Sequence, residues 1–165
     1  MEKKNKNNSS NLLVFGATGL LGGCFIDNYK KIKKIHVAIN KTKLRDKKLK
    51  SIDAKKIAYI KSYIVKENID TIINFAGLTN IEKCQKNKKL SLSANYILPI
   101  KLAKISKDIG INYIFISTDN FSFKSKKLSE NSEIATLNNY AKNKKKSEKK
   151  IIQINPKSLI IRTNF

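Results

Sequence analysis

Residues 12–23 read LLVFGATGLLGG. Four apolar residues, the length of a buried strand, run into Gly16, and Gly19 and Gly22 follow at intervals of three. A helix-like segment, Leu20 to Lys31, begins inside the same stretch. A glycine pattern alone says little, but one that closes a strand and opens a helix has the context that phosphate binding requires. Gly16 suits a tight turn, Gly19 lets the backbone approach a pyrophosphate, and Gly22 allows the helix to pack closely on the strand. The N-terminus of the helix then offers free N–H groups and the positive end of its dipole to phosphate oxygens. The competing reading is a glycine-rich turn that binds nothing. Its place in the chain favours the dinucleotide reading, with Gly16, Gly19, Leu20 and Leu21 at the cofactor.

Outward from this turn, strand and helix signals alternate. KIHVAIN (34–40) is a second strand, and Ile57, Ile60, Ile64 and Val65 recur at helical spacing over 54–67. DTIINFAG (70–77) is a buried strand running into Gly77. Residues 80–109 read as a long helical region broken around Asn87, with Pro99 expected to bend or open it and Gly110 to stop it. NYIFIST (112–118) is a strand, 119–137 an irregular polar loop, 139–153 a helix and KSLIIRT (157–163) a last strand. Near-continuous apolar strands separated by helices predict an α/β fold, a Rossmann-like doubly wound parallel sheet covered on both faces. In such a sheet the C-terminal strand ends share one crevice, so Gly16, Gly77, Thr118 and Tyr140 are expected to face it together.

The charge is extreme for such a fold. Thirty-five Lys and Arg oppose twelve Asp and Glu, a net of +23 among 165 residues. Only Arg45 and Arg162 are arginine, whereas nucleic-acid readers favour arginine for bidentate and stacking contacts. The accompanying wealth of Asn and Ile points to a bias in base composition, so specific nucleic-acid binding is not expected. Salt-sensitive adhesion to polyanions is. Two well-separated cysteines, Cys24 and Cys84, and the single His36 give neither a zinc site nor a disulfide framework. Both cysteines read as small core residues in a reducing cytoplasm. Residues 1–11, MEKKNKNNSSN, read as a disordered polar lead-in and not as a signal peptide. Residues 12–165 read as one NAD(P)-binding domain, with no apolar run long enough for membrane insertion.

After the second strand comes AINKTKLR (38–45), without the acidic residue that commonly holds a ribose 2′-hydroxyl. Lys41, Lys43 and Arg45 stand there instead, which favours the 2′-phosphate of NADP over NAD. In YAKNK (140–144), Tyr140 and Lys144 lie four apart, one turn along a helix face. GATGLLG, DTIINFAGLTNIEKC, Ala94–Asn95, ISTD, LNNYAKNKKKSEK and LIIRTNF occur in order from residue 16 to 165. Together they resemble the extended short-chain dehydrogenase/reductase family, most closely its dTDP-4-dehydrorhamnose reductases and related sugar-nucleotide reductases.

The resemblance implies an NADP-dependent reduction of a nucleotide-linked 4-keto-6-deoxy sugar for polysaccharide synthesis, by a cytoplasmic enzyme for which a homodimer is one expected state. It implies that Tyr140 protonates the carbonyl oxygen as hydride arrives. Lys144 would lower the phenol from its ordinary pKa of about 10 and bond the nicotinamide ribose. Thr118 would orient the substrate oxygen. By the same likeness Asp53 and Ala54 lie at the adenine, and Gly77, Leu78 and Thr79 along the cofactor. Lys142, Lys145 and Lys146 are expected to be solvated charge, Asn95 a structural polar group and Arg162 a strand-end residue near the crevice. Family members continue beyond the strand that ends here into a smaller domain that grips the sugar. The chain thus reads as truncated before its substrate-binding part and as weakly active or inactive alone. The loop NFSFKSKKLSE (120–130) departs from the family pattern, which leaves the sugar open. A same-family epimerase or dehydratase and a non-catalytic cofactor-binding regulatory subunit are the alternatives. Asn120 stands where a dehydratase is expected to carry an acid.

Overall fold

The computed structural model describes residues 10–30, 34–40, 49–123 and 134–163. Six strands form one sheet: β1 (Asn11–Phe15), β2 (Lys34–Ile39), β3 (Lys50–Asp53), β4 (Thr71–Asn74), β5 (Asn112–Thr118) and β8 (Leu159–Thr163). Their order is β3-β2-β1-β4-β5-β8, and every neighbouring pair is parallel. Consecutive strands run outward from β1 to one edge and then, from β4, to the other. The crevice therefore opens between the C-terminal ends of β1 and β4, where the winding reverses. In register, Phe15 lies beside Ala38 on one side and Asn74 on the other.

Leu13, Phe15, Ile72, Tyr113 and Phe115 point to one face of the sheet, and Ile60, Ile64, Leu102, Ala103 and Ile151 pack on them. These come from α2 (Ile57–Lys66), α5 (Leu98–Ile109) and α6 (Asn139–Ile154). On the other face Leu12, Val14, Val37 and Ile73 meet Ile26 of α1 (Leu20–Tyr29). Alternate residues of one strand thus feed two cores, which is why the strands read as unbroken apolar runs. A buried polar contact reinforces the first core: His36 Nδ1 and the Tyr63 hydroxyl of α2 lie 2.6 Å apart. Burial holds that imidazole below its ordinary pKa.

The region 80–109 is three helical pieces and a π turn, because its sequence caps itself repeatedly. Asn80 caps α3 (Ile81–Lys86) and Asn87 caps α4 (Lys88–Leu92), each side chain accepting a backbone N–H. A π turn spans Ser93–Ile97, and α5 follows with Pro99 in its first turn. Proline has no N–H to give the carbonyl four residues back, and that carbonyl, Asn95 O, accepts instead from Ser147 Oγ of α6 at 2.6 Å. The expected opening at Pro99 thus takes the form of the π turn just before it. Gly110 ends α5 with φ of +79°, a left-handed stop that glycine makes at little cost.

Two elements differ from the expectation. The stretch before Asp53 is a strand, β3, with an apolar signal of one buried residue, Ile52. The region 119–137 contains a short antiparallel pair, β6 (Ser122–Phe123) with β7 (Ile134–Ala135), and so is not wholly irregular. Phe121 and Ile134 are buried there against Ala141 of α6. Cys24 is also not a core residue: it is exposed, whereas Cys84 is buried, and both are free thiols. No helix among the described residues is long and apolar enough to cross a membrane. Of the expected lead-in 1–11, residues 1–9 lie outside the described residues, as do Lys41, Lys43 and Arg45, whereas Asn11 is not lead-in but the first residue of β1.

Candidate active site

The glycine turn is built from close backbone contacts. Gly16 has φ of +78°, and a Cβ there would lie 2.5 Å from the Ala76 nitrogen at the end of β4. A Cβ on Gly22 would lie 2.3 Å from the Gly16 carbonyl oxygen. Both distances are too short for any side chain, so β1, α1 and β4 converge here only because glycine occupies both positions. Gly19 caps α1 in an extended conformation, and its N–H donates to Gly16 O at 3.0 Å. Leu20 and Leu21 form the first turn of α1, whose N–H groups have no acceptor within the helix. The Leu20 side chain is exposed.

Beside this turn lies a cavity of about 510 Å³. Gly16, Gly77 and Leu78 line it on the phosphate side, and Ala38, Ala54, Ile57, Ala76 and Leu98 make an apolar floor. Its shape and chemistry fit a dinucleotide: an apolar slot for a base, next to a cradle that a Cβ would fill. Asn40, at the end of β2, presents a neutral amide to it. Of the two residues expected at the adenine, Ala54 lines the slot. The Asp53 carboxylate turns to its own loop and accepts the Lys55 N–H at 2.9 Å. Thr79 is exposed one residue beyond Leu78.

At the other side of the crevice α6 presents Tyr140, Lys144 and Glu148, four residues apart and all buried. Asn138 caps the helix by accepting the Ala141 N–H, which fixes Tyr140 in the first turn. Thr118 ends β5, is buried beside the Tyr140 phenol, and accepts the Asn120 N–H at 3.1 Å. Thr118, Tyr140 and Lys144 are thus brought together at one side of the crevice. Burial pushes the phenol of Tyr140 up, while the nearby Thr118 hydroxyl pulls the other way. The expected lowering by Lys144 is not what this arrangement gives. The ammonium lies 6.0 Å from the Tyr140 ring centre, donates to Ile116 O at 2.7 Å and sits 4.5 Å over the Phe115 ring. Burial lowers the Lys144 pKa to about 8, and the nearby Glu148 opposes that fall.

Asn95, 0 % exposed, joins the two sides. Its Oδ1 accepts the Leu78 N–H at 2.9 Å and its Nδ2 donates to Leu78 O at 3.0 Å. The amide pairs with one residue's backbone as a neighbouring strand would, and holds Gly77–Leu78 against the crevice. A Cβ on Gly77 would meet Asn95 Oδ1 at 2.9 Å and Lys144 Nζ at 3.7 Å, so the glycine loop passes directly over the lysine. Asn74 steadies the base of the loop, its Oδ1 accepting the Ala76 N–H at 3.0 Å.

Several contributors escaped the sequence reading. Asn95 is the structural polar group expected, but its partner, the Leu78 backbone, has no signal in the sequence. Glu148 is signalled by its spacing of four from Lys144. Arg162 is more than a strand-end residue: its Nη2 donates to Glu148 Oε2 at 2.7 Å. Lys142 and Lys146 are exposed as expected. Lys145 instead ties α6 to β7 by donating to Ile134 O at 2.5 Å.

This geometry has counterparts among known proteins. The chain is 26 % identical over 159 residues to the probable low-salt glycan biosynthesis reductase Agl14 of Haloferax volcanii, covering 92 % of this chain and 52 % of that protein. The dTDP-4-dehydrorhamnose reductase of Bacillus anthracis, solved in complex with NADP, superposes with a TM-score of 0.74 at 23 % identity, over 93 % of this chain and 53 % of that one. The UDP-glucose 4-epimerase of Thermotoga maritima, solved with UDP-glucose, has a TM-score of 0.80 at 15 % identity, over 92 % of this chain and 54 % of that one. The chain spans about half the length of these relatives. The model of the family described as the RmlD substrate binding domain matches residues 10–165. The chain belongs to that family, within the extended short-chain dehydrogenase/reductase group that its sequence resembles.

Proposed function

We propose that this chain carries the cofactor-binding and proton-donating half of an NADP-dependent reductase. Its substrate would be a nucleotide-linked 4-keto-6-deoxy sugar used in polysaccharide synthesis. The observation that carries the reading is the convergence of Thr118, Tyr140 and Lys144 at the mouth of a crevice whose other wall is the Gly16 turn. The Gly16 turn, the N-terminus of α1 and the apolar slot lined by Ala38 and Ala54 would hold a nicotinamide cofactor, which would supply the hydride. Tyr140 gives its phenolic proton to the carbonyl oxygen, and Thr118 holds that oxygen in line. Proton return from solvent restores the phenol, and the buried Lys144 ammonium, held at Ile116 O beneath the Gly77 loop, would bond the nicotinamide ribose.

NADP is favoured by the neutral amide of Asn40 in the slot, where a carboxylate would repel a 2′-phosphate. Two free thiols fit a reducing cytoplasm. A homodimer is compatible with this reading and is tested by sedimentation. Titration of the purified chain with NADPH and NADH, followed by nicotinamide fluorescence, tests the proposal. Saturable binding, tighter for NADPH and weakened in Lys144→Ala, is expected. A folded chain that binds neither cofactor overturns the reading.

A further inference from the structure

The Lys144 ammonium has two neutral neighbours, the Ile116 carbonyl and the Phe115 ring. Neither compensates a full charge taken out of water. One helical turn further along α6, Glu148 is 6 % exposed and carries more partners than a buried carboxylate needs merely to fill space. Its Oε1 accepts from Ser117 Oγ at 2.5 Å and from Arg162 Nε at 3.0 Å, and its Oε2 from Arg162 Nη2 at 2.7 Å. Ser117 and Arg162 are direct partners in the β5–β8 register, so two adjacent strands grip the carboxylate in one orientation. Ser117 also precedes Thr118, and Arg162 lies over the Phe121 ring, 5.4 Å from its centre.

We propose that Glu148 is a positioning residue. Clamped by Ser117 and Arg162, it keeps the Lys144 ammonium charged and seated beneath the Gly77 loop. The inference deepens the reductase reading and rests on it for its purpose, though not for its test. The charged and titratable groups that bear on the lysine are Tyr140, whose ring centre lies 6.0 Å from the ammonium, and Glu148, both on α6, with Arg162 on β8 reaching it through Glu148. Of these, Glu148 is the one whose charge raises the lysine against burial. The bidentate bond to Arg162 fixes the Glu148 carboxylate in place and moderates the field that reaches Lys144, so the two partners push the lysine in opposite directions.

The test is lysine side-chain NMR of the intact chain across pH, with the Lys144 resonance assigned by its loss in Lys144→Arg. Wild type is expected to titrate at about 8. Glu148→Gln, equal in shape, is expected to move that midpoint down by about one pH unit. Glu148→Asp, which keeps the charge, stays near wild type, and Arg162→Gln moves the midpoint up. The alkaline limit of NADPH binding should shift with the NMR midpoint in each variant. If Glu148→Gln does not fold, Glu148→Asp and Arg162→Gln decide. A midpoint that ignores Glu148→Gln, or that fails to rise in Arg162→Gln, overturns the proposal. A wild-type chain that binds no NADPH overturns the reductase reading instead, and the Lys144 titration still judges the role of Glu148.

Discussion

The two walls of the crevice are made of different materials. At β1 the wall is backbone: Gly16 and Gly22 let main-chain atoms approach more closely than any Cβ permits. At β5 and α6 it is side chain: a hydroxyl at the end of β5, and a phenol, an ammonium and a carboxylate at four-residue spacing along α6. The first wall is indifferent to pH and intolerant of one added methyl group. The second tolerates changes of shape better than changes of charge. A dinucleotide site needs both, because phosphates are held well by fixed N–H dipoles whereas proton transfer needs groups that titrate.

The sharpest way to break this contrast is Gly16→Ala. It combines left-handed strain with a clash against the Ala76 backbone, so a loss of about 3 kcal/mol or more in urea unfolding is expected, at every pH. A loss below about 1 kcal/mol would remove the backbone wall from the comparison. The side-chain wall should show the opposite signature. Lys144 has its folded pKa depressed to about 8, so between there and its ordinary value of about 10.5 the unfolded chain binds the extra proton. Stability contributed by this site therefore rises with pH through that window, by at most about 3 kcal/mol. Lys144→Met should abolish the rise. Identical pH profiles for the two proteins would sink the assignment.

The clamp between the walls comes next. Asn95→Ala removes the acceptor of the Leu78 N–H and one of the two donors to Leu78 O, Cys84 Sγ remaining, and is expected to cost about 2 kcal/mol. It should also weaken NADPH binding more than it shifts any titration. Gly110→Ala is the control, since the residue has the same sign of φ as Gly16 but open space around it. Only the left-handed term of about 1 kcal/mol should appear in thermal melts. A cost as large as that of Gly16→Ala would show that strain and not close approach explains both.

The sheet and most of its helices were legible because buried parallel strands print as apolar runs, and Gly16, Gly77 and Gly110 mark where those runs and helices stop. The strand β3 was not, since an edge strand with one buried residue, Ile52, carries almost no apolar signal. The β6–β7 pair was hidden in the same way by its length of two residues per strand. In the candidate site, the proximity of Thr118, Tyr140 and Lys144 was legible through order and spacing along the chain. Asn95 is the structural polar group expected and Arg162 the strand-end residue expected, but their partners were not legible because another element brings them: the Leu78 backbone for one, the Glu148 carboxylate for the other. The direction of the Tyr140 shift was misjudged for a related reason. Spacing puts a lysine one turn away, but only the packing of Phe115 and Ile116 decides where its ammonium points.

The far edge of the sheet has a colloidal consequence. Among the described residues β8 pairs on one side only, and Leu159 and Ile161 are exposed on it. An apolar strand edge of this kind is a template for joining another copy. The net charge of +23 opposes that encounter, but only over the reach of unscreened charge, which shrinks to about 3 Å at 1 M salt. Light scattering from the purified chain should therefore rise with added salt, and a lysine placed at Ile161 should flatten the response.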